Sequence, residues 1–234
     1  MAAHRFRAAR RRRAARRLGD GPLRRYLQAP PPSPRTPLDE LPLLAVDVET
    51  TGLDPAVDQL LSIGFVPVDG ERIVLGGAGS LLLRPPGDDG RGVGQSAVLH
   101  GITDDAVASG LDAGEALDRV LDALTGRVLV GHYARMEVGF LSQLCARVHG
   151  RRPPLTVVDT LELHQRVLAP GFDAGFAPGP APGELRLWSA RERYGLPRYR
   201  AHDALADAVA CAELYLAQTA ELRERGAAVL RDLG

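Results

Sequence analysis

The stretch at 41–50, LPLLAVDVET, limits the fold of this 234-residue chain more than any other. It is an almost unbroken apolar run that carries two acids near its end. A run this short, closed by a Thr-Thr-Gly turn, reads as a buried strand. A strand presents alternate residues to opposite faces, so Asp47 and Glu49 share one side while Val46 and Val48 share the other. Two neighbouring carboxylates repel, and taking them out of water is costly unless a cation lies between them. Hard oxygen ligands suit magnesium or manganese better than zinc. The spacing alone also fits a plainer reading, in which Asp47 and Glu49 are polar residues at an exposed strand end and TTG only turns the chain.

Downstream of this strand, strands and helices alternate. A second strand is expected at 60–68, LLSIGFVPV, and RIVLGG with GSLLLRP reads as a further antiparallel pair after the Asp-Gly turn. In GEALDRVLDALTG, helical spacing places Ala116, Leu117, Val120, Leu121 and Leu124 on one face, and RVLVG follows as a short strand. Helices are expected at 136–148, 160–168 and 184–195, and from about 203 to 225. The last has Leu205, Ala208, Val209, Ala212, Leu216 and Thr219 along its apolar stripe. The Gly- and Pro-rich segment 169–183 is an insertion. The sum is one α/β domain over 41–225, a mixed sheet flanked by helices, with a short tail at 226–234. No apolar run reaches the roughly 18–20 residues of a membrane span, and Cys145 and Cys211 belong to no CxxC pair.

Zero net charge conceals an uneven distribution. The first forty residues hold eleven arginines against Asp20, Asp39 and Glu40, so the remainder is correspondingly acidic. We read residues 1–40 as a basic arm and a Pro-rich linker. Such an arm supplies salt-sensitive phosphate contacts without sequence preference. The composition fits equally a solvated tail or a short helix packed on the domain, and an Arg-rich presequence is a third reading.

Two further acidic elements bear on the strand pair. RYRAHDALADAVA sets His202 and Asp207 at the start of the last helix, adding a third carboxylate and an imidazole able to take a proton from water near neutral pH. In VLVGHYARMEVGFL, Glu137 lies just inside the helix after a short strand. Each alone would be an ordinary surface residue.

Together these segments resemble the DEDDh (DnaQ-like) 3′–5′ exonucleases, the branch typified by the epsilon proofreading subunit of bacterial DNA polymerase III. DVETTG matches the first motif, HYARMEVGFL resembles the second, and HDALAD matches the third, while HGIT at 100–103 is also a familiar family segment. The resemblance runs from about residue 43 to 216. It implies an RNase H-like fold and two magnesium or manganese ions. Asp47, Glu49, Glu137 and Asp207 would be the metal ligands and His202 the general base. Thr50, Thr51, Gly52 and Leu53 would meet the terminal nucleotide. It further implies single-stranded nucleic acid as substrate, DNA preferred, a DNA polymerase subunit as candidate partner, and a bacterial cytoplasmic location without membrane association. The second motif departs from the family: Tyr133, Met136 and Glu137 stand where Asn, Phe and Asp are usual. Tyr199 and Asp203 also fit the tyrosine variant of the third motif, though only at its ends. The same motifs serve RNA exonucleases of the RNase T or oligoribonuclease type. A catalytically weak nucleic-acid-binding or polymerase-docking module is the reading from outside the enzymes.

Overall fold

In a computed structural model that describes residues 2–84, 108–168, 181, 183–200 and 202–234, the acidic strand lies in the middle of a mixed sheet. The strands are β1 (Pro42–Thr50), β2 (Leu60–Asp69), β3 (Arg72–Ile73), β4 (Gly79–Leu82), β5 (Val128–Gly131) and β6 (Val157–Asp159). Their order is β3-β2-β1-β5-β6, with β4 also on β2. β1 runs antiparallel to β2 and parallel to β5, which is parallel to β6. The helices are α1 (Ala2–Ala15), α2 (Pro22–Gln28), α3 (Ala113–Ala123), α4 (Arg135–His149), α5 (Thr160–Leu168), α6 (Leu187–Arg193) and α7 (Ala204–Glu224). HGIT and all but two residues of the 169–183 insertion lie outside the described residues.

The period-two reading of β1 explains the layers. Leu44 and Val46 join one apolar cluster with α2, α3 and α4, including Leu117, Leu121 and Leu141. Leu43 and Ala45 join a second, with Leu163 of α5 and Cys211, Ala212 and Tyr215 of α7. Asp47 and Glu49 continue the second set, so they lie on the face that α7 covers.

Two expectations need correction. RIVLGG and GSLLLRP do not pair with each other. β3 pairs with β2 at 68–69 and β4 pairs with it at 62–65, so both extend the same side of one long strand, separated by a helical turn at Leu75–Gly77. On α7, Ala208, Ala212 and Thr219 are buried as expected, but Leu205, Val209 and Leu216 are only half-buried. The deeply packed positions are instead Cys211, Leu214, Tyr215 and Gln218. A small-residue helix can press Ala and Cys against a sheet, so its larger side chains fall to the flanks.

The N-terminal segment packs on the domain as helices, one of the alternatives its composition left open. Ala15, Leu23, Tyr26 and Leu27 are buried in the first cluster, beside α3. Arg11, 6% exposed, donates from its guanidinium to Tyr26 O (2.6 Å) and Pro154 O (2.7 Å), and Tyr26 Oη donates to Pro154 O at 2.8 Å. At the far end, Leu38 N donates to Ala228 O and Leu230 N to Thr36 O, so the 226–234 segment is tied to the stretch leading into β1.

Leu27→Ala should therefore lower stability by about 2–5 kcal/mol in denaturant unfolding, as a core truncation does. Arg16→Ala, on an exposed side chain, should stay within about 0.5 kcal/mol.

Candidate active site

The site is made where the polar end of β1 meets the first turn of α7. Asp47, Glu49 and Asp207 each present a carboxylate oxygen within 4.8 Å of one another. Glu49 and Asp207 are buried and Asp47 is half-buried. A glycine permits the meeting. Gly64 of β2 lies directly opposite Asp47, and a Cβ there would fall 2.1 Å from the backbone carbonyl of Ala204. Only a residue without a side chain lets the start of α7 rest on the sheet at this point.

The residues of the two versions of the third motif stand differently at the start of α7. Asp203 is the N-cap, its Oδ1 accepting from Ala206 N at 3.0 Å. Asp207 faces inward: Oδ2 accepts from His202 N at 3.0 Å, and its buried Oδ1 has no hydrogen-bond partner among the described residues. Tyr199 donates its hydroxyl to Glu213 Oε1 at 2.7 Å, and Arg191 lies 5.1 Å over its ring. Buried Arg191 also donates to Ala210 O, Pro197 O and Glu213 Oε2, clamping α6 and the 194–200 segment to α7. Tyr199 is exposed with its hydroxyl engaged by Glu213, and His202 is exposed too, with a left-handed φ of 66°, two residues before the helix.

Glu137 approaches from the other side. It is 3% exposed in the first turn of α4, and its Oε2 is buried without a hydrogen-bond partner among the described residues. Gly131, the last residue of β5, leaves it room, since a Cβ there would lie 3.1 Å from Oε2. Glu137 is not one of the three clustered carboxylates, but its charge acts on Asp47. Asp159, at the end of β6, shapes the loop before α4. It accepts from the backbone N–H groups of Tyr133, Ala134 and Leu161, each at 2.9 Å, holding Tyr133 at φ 65° with its ring exposed. His132 is engaged inside the fold, with Nδ1 at 2.9 Å from Thr160 Oγ1 and Nε2 at 2.8 Å from Leu185 O.

In the loop after β1, the structure gives the expected nucleotide contacts unequal standing. Leu53 is 79% exposed at the rim. Thr50 Oγ1 donates to Gly52 O at 2.6 Å, while Thr51 Oγ1 accepts from Gln59 N and Thr51 N donates to Gln59 O. Both hydroxyls therefore brace the loop. A Cβ on Gly52 would strike the Asp58 carboxylate at about 2.5 Å, so a larger residue there would push that side chain aside.

Crowding raises the affinity of these carboxyls for protons. Burial, followed by the charges of Glu137, Asp207 and Glu49, holds Asp47 well above the usual carboxylate range. Burial, then Asp207 and Asp203, pushes Glu49 up to about 8, and burial pushes Glu137 to about 8 as well. Asp207 is raised by burial despite the His202 amide. The buried Asp207 Oδ1 and Glu137 Oε2, without donors among the described residues, are the kind of oxygen a divalent cation would satisfy. The donor set is oxygen only, as magnesium and manganese require.

A family model described as an exonuclease, RNase T type, matches residues 44–215. The chain belongs to the RNase T exonuclease family. This exonuclease is 32% identical over 176 residues to the DNA polymerase III subunit epsilon of Treponema pallidum, covering 73% of each chain. It is 32% identical over 194 residues to a DNA polymerase III subunit epsilon-like protein of Rhodobacter capsulatus, covering 82% of this chain and 25% of that one. A PolC-type DNA polymerase III of Thermotoga maritima is 28% identical over 193 residues, but the match spans only 13% of that protein. In structure, the exonuclease resembles E. coli exonuclease I in complex with a dT13 oligonucleotide. The TM-score is 0.65 at 19% identity, over 79% of this chain and 43% of that one. The mixed sheet with flanking helices is the RNase H-like fold. Among the described residues, no helix is long and apolar enough to cross a membrane.

The raised carboxyl pKa values make stability depend on pH, because the folded chain holds protons that the unfolded chain releases. Metal-free protein should then lose thermal stability as pH rises between about 4.5 and 8. Magnesium or manganese should reduce that loss. Gly64→Ala should displace the start of α7 and lower both melting temperature and nuclease turnover, with overpacking costing about 1–3 kcal/mol.

Proposed function

We propose that this exonuclease is a divalent-metal-dependent 3′–5′ enzyme that removes nucleoside 5′-monophosphates from single-stranded or frayed DNA ends. The carrying observation is the set of three carboxylates packed within 4.8 Å at the junction of β1 and α7, with the buried Asp207 Oδ1 unpartnered among the described residues. Asp47 is the central ligand, Glu49 and Asp207 flank it, and Glu137 of α4, whose charge acts on Asp47, is the fourth. Two magnesium or manganese ions held there would supply charge neutralisation of the scissile phosphate and a more acidic water.

The protein's own groups perform the remaining tasks. His202, exposed beside Asp207, accepts the proton of the attacking water. The amide of His202 is bonded to Asp207, so base and ligand move as one unit. Leu53 stands at the rim, where an apolar side chain can press against the terminal base. Thr50, Thr51 and Gly52 set the loop that carries it. DNA is the substrate that the relatives favour, through the epsilon subunits and the dT13 complex of exonuclease I. A DNA polymerase subunit is the protein partner consistent with the same names, and a bacterial cytoplasm the matching location. The domain that carries this chemistry runs over 41–225.

The direct test is digestion of 5′-labelled single-stranded DNA and RNA with magnesium, with manganese and with chelator. A ladder shortening from the 3′ end of DNA, absent with chelator, is the expected result. Attack from the 5′ end, or full activity with chelator, would refute the reading. Asp207→Ala should abolish turnover, while Asp203→Ala should chiefly remove a helix cap, about 0.5–2 kcal/mol of stability. His202→Ala should lower kcat by about 10²–10⁴-fold with little change in KM, and Tyr199→Phe should not. The opposite ranking would make Tyr199 the base. Glu137→Gln should cost far more than Glu137→Asp, since only the latter keeps the charge. Wild-type activity of Glu137→Gln in both metals would remove Glu137 from the site.

A further inference from the structure

Packing of the N-terminal helices against the domain creates a second charged region, at the opposite end of α4 from Glu137. A cavity of about 550 Å³ lies between α1 and the 151–156 segment, lined by Arg10, Arg11, Arg151 and Arg152 with Pro31 and Pro154. A second, of about 530 Å³, continues along α1 past Arg13 and Arg17. Among the described residues, no acid lines either cavity.

Arg11 gives this region the character of a built site. Its guanidinium is buried, and among the described residues its hydrogen bonds go to two backbone carbonyls and the Tyr26 hydroxyl, with no carboxylate near enough to pair. The Nε atoms of Arg11 and Arg151 are buried without hydrogen-bond partners there. Among the described residues, Arg10, Arg13, Arg17, Arg151 and Arg152 enter no salt bridge. Other surface arginines do pair, such as Arg25 with Asp122 and Arg119 with Glu115. The Tyr26 ring lies 4.4 Å from the Arg11 guanidinium, so all its partners are neutral, and an anion entering the cleft would supply the missing countercharge. Guanidinium forks match phosphate oxygens in pairs.

We propose that this cleft is an auxiliary phosphate-backbone site that holds nucleic acid away from the carboxylates. Two adjoining cavities along one helix suit a linear polyanion better than a single small anion. That the polyanion is nucleic acid rests on the exonuclease reading. From Glu137 to its end at His149, just before Arg151, α4 spans about 18 Å, so a stacked strand of about five nucleotides would cover that distance. The domain then grips its substrate at two points, one holding the end to be cut and one the strand behind it.

The test is binding of an oligothymidylate of about 20 nucleotides, several times the length needed, measured by fluorescence anisotropy in chelator across a range of salt. The triple substitution Arg10→Glu, Arg13→Glu and Arg152→Glu should weaken binding at least tenfold at low salt. It should also flatten the plot of log affinity against log salt by about 0.7 for each phosphate that is no longer neutralised. If the triple variant misfolds by circular dichroism, the exposed single changes Arg10→Ala and Arg13→Ala should shift the slope in the same direction by a smaller amount. An unchanged slope and affinity in folded variants overturns the proposal. Loss of inorganic pyrophosphate or polyglutamate binding with oligonucleotide binding intact also overturns it, by assigning the cleft to a small anion or an acidic protein. Asp47→Ala separates the two readings. It should lose turnover and keep the salt slope, so a failed nuclease assay and a failed cleft are distinguishable.

Discussion

Repulsion among carboxylates that the fold forces together is the constraint on which this structure turns. Asp47, Glu49 and Asp207 would separate if free to do so, and Glu137 adds its charge to Asp47. The force that opposes separation is apolar packing on both faces of one sheet. Leu43 and Ala45 of β1 lie under α7, while Leu44 and Val46 lie against α3 and α4. Burial of such side chains contributes about 1.5–3 kcal/mol each, so a few well-packed neighbours are enough to hold a short segment of unfavourable charge in place. Each acid outside β1 is delivered by a separate element, and the elements are positioned by packing remote from the acids themselves.

Much of this was legible in the residues. The alternation in β1 gave the shared face of Asp47 and Glu49, and the 3.6-residue spacing in α3 gave the buried Ala116, Leu117, Val120, Leu121 and Leu124. Helix limits were close because their caps are local: Asp112 accepts from Gly114 N, and Gly150 closes α4 with a φ of 67°. What the sequence hid was mostly non-local. The position of β4 on β2 depends on which side of β2 is open, and a run of apolar residues does not encode that. The face of α7 depends on α6, whose Arg191 covers Ala210 from outside the sheet. Gly64 and Asp159 looked ordinary, and only their partners 140 and 25 or more residues away give them their roles. A glycine inside an otherwise apolar strand was the one available signal for a close backbone approach.

The N-terminal segment shows why composition is a poor guide to local structure. Eleven arginines in forty residues fit a solvated arm and a packed helix equally, and it is Leu23, Tyr26 and Leu27, spaced to bury one side of a short helix, that separate the two. Arg11 serves as a tether to the chain ahead of β6, and the strongly basic residues around it remain exposed. Charge is consequently separated across the molecule, with acids at the end of β1 and arginines at the end of α4. A diffusing polyanion would meet a field that attracts it at one pole and excludes it from the other unless cations intervene.

The distance along the chain between Asp47 and Asp207 has a consequence for the protein during its own synthesis. Strands β1 and β2 can pair as soon as they emerge, but α7 follows much later in the chain, and until it is made Asp47 and Glu49 lack the Asp207 carboxylate beside them. Because non-local contacts form only after the intervening chain is complete, a growing chain carries the three clustered carboxylates in two separated halves. Until α7 emerges, a polypeptide surrounded by ribosomal RNA holds only two of them in place.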